Sequence, residues 1–292
     1  MTLRDSYNRP VTNLRISLTP RCNLSCIYCH REGEKDPRRE MSAEEIGEII
    51  AAGADLGIRS IKFTGGEPLL RSDLADIIAT VPKGMECSLT TNGTLLADTA
   101  FDLRDAGLKR VNVSIDSLDR DTYLRISGKD LLPDVMAGID TAIDAGLTPV
   151  KLNMVVLDGI NDTEIDRFLT YVRKNPDLIL QLIELMDFNG CPYHSDLSGL
   201  EQDLASRSRE ILTRRMHHRK KYCIDNAEVE VVRPLHNTEF CAFCNRLRVT
   251  SDGKLKPCLL RTENHVDIRG KKGEELREMF REAVRLREPF YK

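Results

Sequence analysis

The sequence contains no tryptophan, and aromatic residues make up only 5% of its 292 positions. That scarcity argues against an aromatic platform for stacking single-stranded bases. No stretch reaches the roughly 18 consecutive apolar residues that a membrane-crossing helix needs, so no membrane partner is expected. The start, Met1-Thr2-Leu3-Arg4-Asp5, lacks the apolar core of a secretory signal, and a cytoplasmic location is expected. No charge sign dominates: 43 Lys and Arg stand against 46 Asp and Glu, a net charge of −3. A chain that coats nucleic acid or an anionic membrane would be basic. Internal repeats and low-complexity linkers are missing too.

Cysteine, by contrast, is plentiful, with nine residues. In a reducing compartment they read as metal ligands or buried thiols rather than disulfides. Six fall in two tight sets, Cys22/Cys26/Cys29 and Cys241/Cys244/Cys258. Cys87, Cys191 and Cys223 stand alone and read as packing residues.

Between the two sets, short β-rich runs alternate with helical patterns. The strand candidates are 14–19, 60–64, 88–91, 110–114, 150–156 and 179–186, read as strands buried on both faces. Helices fit 72–80, 98–106, 133–145 and 162–174, and Ser42 with Glu45 forms a capping-box pattern before Ile46. Gly57, Gly107 and Gly146 each follow a helical run at the position of a left-handed cap. Six such units imply an α/β fold, an open six-stranded (β/α)6 partial barrel with right-handed crossovers and its chemistry at the C-terminal strand ends. Beyond about Gly190 the pattern changes. A charged helix is expected over 200–216, then the basic run His217–Lys221, strands at 228–233 and 246–250 with a turn at Asp252-Gly253, and a helix at 274–286. The expected division is 1–225 for the barrel and 226–292 for a smaller α+β C-terminal region.

The first set reads Cys22-Asn-Leu-Ser-Cys26-Ile-Tyr-Cys29 directly after the first strand. Four thiolates normally complete a [4Fe–4S] cluster; three leave one iron open to a small chelating molecule. A zinc site completed by His30 is the plainer alternative. The second set is C-x2-C-x13-C, and a zinc ribbon completed by His236 or His265 competes there with an iron–sulfur site. After the second strand comes Thr64-Gly65-Gly66-Glu67-Pro68-Leu69, where two glycines permit close approach of backbone to a ligand and Glu67 brings negative charge.

The first cysteine set and the Gly-Gly-Glu-Pro loop together resemble the radical S-adenosylmethionine superfamily. Cys244-Asn-Arg246-Leu-Arg248-Val-Thr-Ser251-Asp252-Gly253 with Cys258 resembles the C-terminal motif of the GTP 3′,8-cyclase family, which opens molybdenum-cofactor biosynthesis. The likeness runs through Asn13-Leu14-Arg15, Leu89-Thr90-Thr91-Asn92-Gly93, Val111-Asn112-Val113-Ser114-Ile115-Asp116, Lys151-Leu-Asn153, Gly159-Ile-Asn161-Asp162 and Glu184-Leu-Met186-Asp187.

The resemblance implies one [4Fe–4S] cluster on Cys22, Cys26 and Cys29 and a second on Cys241, Cys244 and Cys258. It implies S-adenosylmethionine contacts from Tyr28, Gly66, Ser114 and Met186. GTP contacts would come from Arg15, Lys62, Thr90, Lys151, Arg246 and Arg248, of which Arg15, Lys151, Arg246 and Arg248 would serve catalysis. Arg suits a triphosphate because its planar fork bonds phosphate oxygens in pairs, and the i, i+2 spacing of Arg246 and Arg248 puts both on one strand face. The implied reaction is reductive cleavage of S-adenosylmethionine to a 5′-deoxyadenosyl radical. That radical removes hydrogen from ribose C3′ of GTP, after which C3′ bonds to C8 of the guanine. An electron-donor protein, cyclic pyranopterin monophosphate synthase as the next enzyme, and a homodimer are the implied partners, with no nucleic acid.

Three departures from the family pattern stand out: Lys62 and Gln181 where Arg is common, and an end at Glu288-Pro-Phe-Tyr-Lys292 in place of a Gly-Gly tail. Two rival readings share some features. One is a radical enzyme with an auxiliary cluster that modifies a peptide; it needs no set of basic residues for a triphosphate. The other is a zinc- or cluster-bearing regulator that binds nucleic acid through His217–Lys221, although such a run usually marks a solvated face.

Overall fold

The computed structural model describes residues 2–31, 39–186, 191–235 and 237–290. Asp187 of the Glu184–Asp187 motif and the ligand candidate His236 lie outside the described residues. The chain begins β1 (Asn13–Ser17), α1 (Ala43–Asp55), β2 (Ser60–Thr64), α2 (Leu74–Ala79), β3 (Glu86–Thr91), α3 (Ala100–Asp105) and β4 (Arg110–Ser114). It continues through α4 (Arg120–Ser127), α5 (Leu132–Asp144), β5 (Val150–Val156), α6 (Ile165–Val172) and β6 (Leu178–Glu184). The last part holds α7 (Ser198–Arg207), β7 (Glu210–Thr213), β8 (Lys220–Ile224), β9 (Ala227–Val232), α8 (Thr238–Ala242), β10 (Arg246–Val249), β11 (Lys254–Lys256), β12 (Val266–Asp267) and α9 (Gly273–Arg285).

Strands β1 to β6 run parallel in sequence order, as the β/α alternation requires. The same sheet continues past both edges. At one edge β10 joins β1 in parallel and carries β11 and β12 antiparallel. At the other, β9 joins β6 in parallel and carries the β8–β7 hairpin. The result is one open sheet of twelve strands. The expected boundary at residue 225 falls in the turn between β8 and β9.

Local signals explain the helix ends. Ser42 accepts from the Glu45 amide while the Glu45 carboxylate accepts from the Ser42 amide, so the capping box is formed. Gly57, Gly107 and Gly146 follow α1, α3 and α5 with φ of 87°, 115° and 75°.

Two readings need correction. The strands are largely buried on both faces, but the two faces are not both apolar. Leu14, Ile16, Ile61, Phe63, Val111, Val113, Leu152 and Met154 are buried in the core beneath the helices, while the alternate positions Asn13, Arg15, Lys62, Asn112 and Lys151 face a cavity. Side chains alternate with period two along a strand, so a polar cavity and an apolar core share each one. The helix expected over 200–216 ends at Arg207, because Glu210–Thr213 pairs with Lys220–Cys223 as a hairpin. Ladder hydrogen bonds and β-branched Ile211 and Thr213 override a charged, helix-like composition. Helix α4 was not anticipated, although Asp119 caps it at the Thr122 amide and Gly128 ends it with φ 78°.

Candidate active site

The inner face of the sheet encloses a cavity of about 940 Å³. All six clustered cysteines line it, as do Arg15, Tyr28, Lys62, Gly66, Thr90, Ser114, Lys151, Met186, Arg246 and Arg248. Every site residue that the resemblance implies therefore reaches one space, whereas the ligand candidate His265 does not line it. Strand register explains the basic part: Arg248 lies beside Arg15, and Arg15 beside Lys62, on adjoining strands. The Lys62 ammonium donates to Asn112 Oδ1 at 2.9 Å. Burial, and then the charges of Arg15 and Arg246, hold Lys62 well below its ordinary pKa. Arg246 donates from Nε to Asn13 Oδ1 at 3.0 Å, and burial with Arg248 and Arg15 nearby lowers it in the same way. Such concentrated buried positive charge is costly alone and suits a polyanion.

Lys151 pairs with Glu230 at 2.6 Å. Burial draws its pKa down to about 8 against the raising effect of Glu230. Gln181 donates to the other oxygen of Glu230 at 2.9 Å. The Glu230 carboxylate has no solvent exposure. Sequence reading missed it, although the alternation Glu228-Val229-Glu230-Val231 was the available signal.

The first cysteine loop follows β1. Cys22 Sγ accepts from the Leu24 amide at 3.4 Å and from Asn92 Nδ2 at 3.8 Å, and Cys29 Sγ accepts from the Arg31 amide at 3.4 Å. Amide donors of this kind stabilise sulfur ligands of an iron–sulfur cluster. Burial raises the pKa of both Cys22 and Cys26, a preference that a bound cation would invert. Tyr28 donates from its hydroxyl to Asp116 Oδ2 at 2.6 Å, and Asp116 Oδ1 accepts from the Val155 amide at 2.9 Å. The ring is thus held against the strand ends. Burial lifts Asp116 to about 6.

Gly65 and Gly66 line the cavity and also pack tightly against the chain before Cys22. A Cβ on Gly66 would overlap the Arg21 carbonyl, and one on Gly65 would meet the Thr19 carbonyl at 2.5 Å. The close approach is to the chain leading into Cys22, with Gly66 donating to Thr19 O and Glu67 to Arg21 O, both at 2.7 Å. The Glu67 carboxylate is fully buried and does not face the cavity. It accepts from the Leu69 amide at 2.9 Å, the Thr91 hydroxyl at 2.8 Å and the Asn92 amide at 2.6 Å. Glu67 thus places Asn92, which reaches Cys22.

The second cysteine loop is gripped from two sides. Arg9 and Arg287 both pair with buried Asp5, at 2.7 and 3.1 Å. From there Arg9 donates to the Cys241 carbonyl at 2.9 Å and Arg287 to the Cys244 carbonyl at 2.6 Å. On the opposite side His217 stacks on Phe240 and His218 on Phe243, with ring centroids 3.7 and 3.3 Å apart. Both histidines hold left-handed backbone, φ 61° and 48°. The run His217–Lys221 is therefore no solvated basic face: Arg219 pairs with Glu230 and Lys221 with Glu228. Among the described residues, no three His, Cys, Asp or Glu side chains form a group that could hold a single metal ion.

The pattern of the Radical SAM superfamily matches residues 16–172, and that of Molybdenum Cofactor Synthesis C matches residues 178–292. A probable GTP 3′,8-cyclase of Methanocella arvoryzae is 51% identical over 99% of this chain and 95% of its own length. Its counterpart in Archaeoglobus fulgidus is also 51% identical, over 99% of both chains. The chain belongs to the GTP 3′,8-cyclase family. Within this radical SAM family member, the first matched segment carries Cys22, Cys26 and Cys29, and the second carries Cys241, Cys244 and Cys258. The fold agrees with solved structures. Streptococcus suis SuiB bound to S-adenosylmethionine aligns with a TM-score of 0.69 at 16% identity, over 94% of this chain and 65% of that one. Native anSMEcpe with bound AdoMet aligns at 0.66 and 18% identity, over 92% of this chain and 81% of that one.

Proposed function

We propose that the cavity is the active site of a GTP 3′,8-cyclase. The chain is a radical SAM enzyme, a lyase that joins ribose C3′ of GTP to guanine C8. Its product is (8S)-3′,8-cyclo-7,8-dihydroguanosine 5′-triphosphate, the first intermediate toward the molybdenum cofactor. The observation that carries this reading is that both cysteine sets and the Arg248–Arg15–Lys62 row open onto one cavity.

Cys22, Cys26 and Cys29 would hold a [4Fe–4S] cluster, and Cys241, Cys244 and Cys258 a second. When bound, the first cluster and S-adenosylmethionine supply one-electron chemistry that removes a hydrogen atom from the substrate. The residues of the chain bind, orient and enclose. Tyr28, Gly66, Ser114 and Met186 line the S-adenosylmethionine side. Arg15, Lys62, Thr90, Lys151, Arg246 and Arg248 bind GTP, the cations matching its charge and Thr90 offering a hydroxyl. Fixing the ribose beside the first cysteine loop supplies proximity and excludes water.

In this reading residues 1–225 form the radical SAM partial barrel and 226–292 the region that would carry the auxiliary cluster. A one-electron donor protein feeds the first cluster, cyclic pyranopterin monophosphate synthase takes the product, and the enzyme works as a cytoplasmic homodimer. No helix of the described residues is long and apolar enough to cross a membrane.

The test is anaerobic reconstitution with iron and sulfide, followed by S-adenosylmethionine, reductant and GTP. 5′-Deoxyadenosine that rises with GTP and not with ATP supports the reading. Slow cleavage indifferent to GTP would remove the substrate but keep the radical class.

A further inference from the structure

The turn joining β7 to β8 enters the cavity wall and brings two arginines that neither the motifs nor the proposed contacts include. Arg214 donates its amide to the Arg219 carbonyl at 2.9 Å, closing the turn. Both side chains line the cavity and reach Glu230, Arg214 in a short ion pair and Arg219 at 3.5 Å. Lys151 and Gln181 share that carboxylate. Among the described residues, Glu230 is the only acid that Lys151, Arg214 or Arg219 pairs with.

One buried carboxylate cannot balance three cations, so the group keeps an excess of two positive charges. Arg219 is also incompletely bonded, since its buried Nε finds no acceptor. A buried donor left without a partner is expensive, and an anion in the cavity would supply the missing acceptor. The charge joins the basic row, because Arg219 is among the cations that depress Arg246. Gln181, where related sequences often have Arg, touches the same Glu230. Arg214 and Arg219, on the neighbouring hairpin, put two cations beside this uncharged amide.

We propose that Arg214 and Arg219 are phosphate-binding residues that replace the missing positive charge at Gln181, with Glu230 holding them and Lys151 at a fixed spacing. The ligand is a polyphosphate anion, and this rests on the reading that the nucleotide is GTP. Arg forks bond adjacent phosphate oxygens in pairs, and the Arg219 Nε gains an acceptor on binding.

The test is anaerobic calorimetric titration of the cluster-loaded protein with GTP, GDP and guanosine, for wild type, Arg214→Met, Arg219→Met and Arg219→Lys. The expected result is that each Met variant binds GTP about 10- to 100-fold more weakly, with guanosine affinity unchanged. Arg219→Lys should keep part of the loss-prone affinity and confirm folding. Adding Gln181→Arg to Arg214→Met should restore much of the GTP affinity. Wild type that prefers GTP to guanosine, with Met variants that keep the preference, would overturn this inference and leave the GTP reading standing. Variants that weaken GTP and guanosine equally would make the arginines structural. Wild type indifferent to phosphate number would remove the GTP reading and this inference with it.

Discussion

In the first cysteine loop the residues Cys22 and Cys29 are exposed and Cys26 is partly buried, and the loop is pinned by amide donors and by backbone bonds from Ser25 and Ile27 to the end of α4. In the second, Cys241, Cys244 and Cys258 are all partly buried. There the backbone carbonyls of Cys241 and Cys244 are held by two arginines that share one buried aspartate, and Phe240 and Phe243 lie under stacked histidines. An open loop admits a small chelating molecule and an incoming electron. A gripped loop keeps its place while a large substrate presses on it. The difference teaches that the two sites, alike in ligand type, depend on different parts of the molecule. The first rests on local strand-end geometry and the second on distant charged residues.

The contrast is broken most severely by removing ligands. Cys22→Ala should abolish formation of 5′-deoxyadenosine with or without GTP. Cys241→Ala should retain slow cleavage, lose its stimulation by GTP, and bind about half the iron. Equal loss from both, measured by chromatography and iron assay, would mean that the loops are not separable.

Next in size is the buried triad. Asp5→Ala leaves Arg9 and Arg287 without their carboxylate and should cost about 3–5 kcal/mol in urea unfolding. Iron should be lost from the second site before the first. Arg21→Ala, which breaks an exposed pair with Glu40 near the first loop, should cost under about 1 kcal/mol. Comparable costs would erase the contrast.

Glu67 sharpens the other side. Burial raises its pKa from 4.5 to about 7, so the folded state binds this proton more tightly than the unfolded chain. Its contribution is therefore fully present below pH 4.5. It declines by about 3 kcal/mol as pH rises to 7, and is flat beyond. Glu67→Gln should remove that slope from the stability of the cluster-free protein. An unchanged slope would show that Glu67 stays ionised.

The smallest effect belongs to Ser42→Ala, which loses the capping box of α1 and should cost about 1 kcal/mol with no change in GTP binding.

Much of the fold was legible because its signals are local. Six β/α units follow from alternating apolar runs, and the capping box at Ser42 needed three residues of context. The cysteines and Arg15, Lys62, Lys151, Arg246 and Arg248 were legible as a set that the sheet then gathers. What was hidden depends on partners far along the chain. Asp5, Arg9 and Arg287 have no motif, and their meaning arises only when the two ends of the chain meet. The β7–β8 hairpin was obscured because Leu200–Met216 has helical composition, and its strand character comes from pairing with β8 and β9. The inward polar positions of β1, β2, β4 and β5 were visible in the period of two, as in Ser60-Ile-Lys62-Phe-Thr64, yet a purely apolar reading of buried strands passed over them.

The contact of β1 with β10 joins Asn13 to Arg246, 233 positions apart, and Arg9 reaches the Cys241 carbonyl across 232. A ribosome makes the chain from the N-terminus onward. The outer edge of β1 therefore waits without its neighbour through almost the whole of synthesis, exposed to pairing with other chains. Cys22, Cys26 and Cys29 emerge early, while the clasp around Cys241 and Cys244 closes only after Arg287 has left the ribosome. Assembly of the clasp is thus ordered in time, set by where in the message each half of it is written.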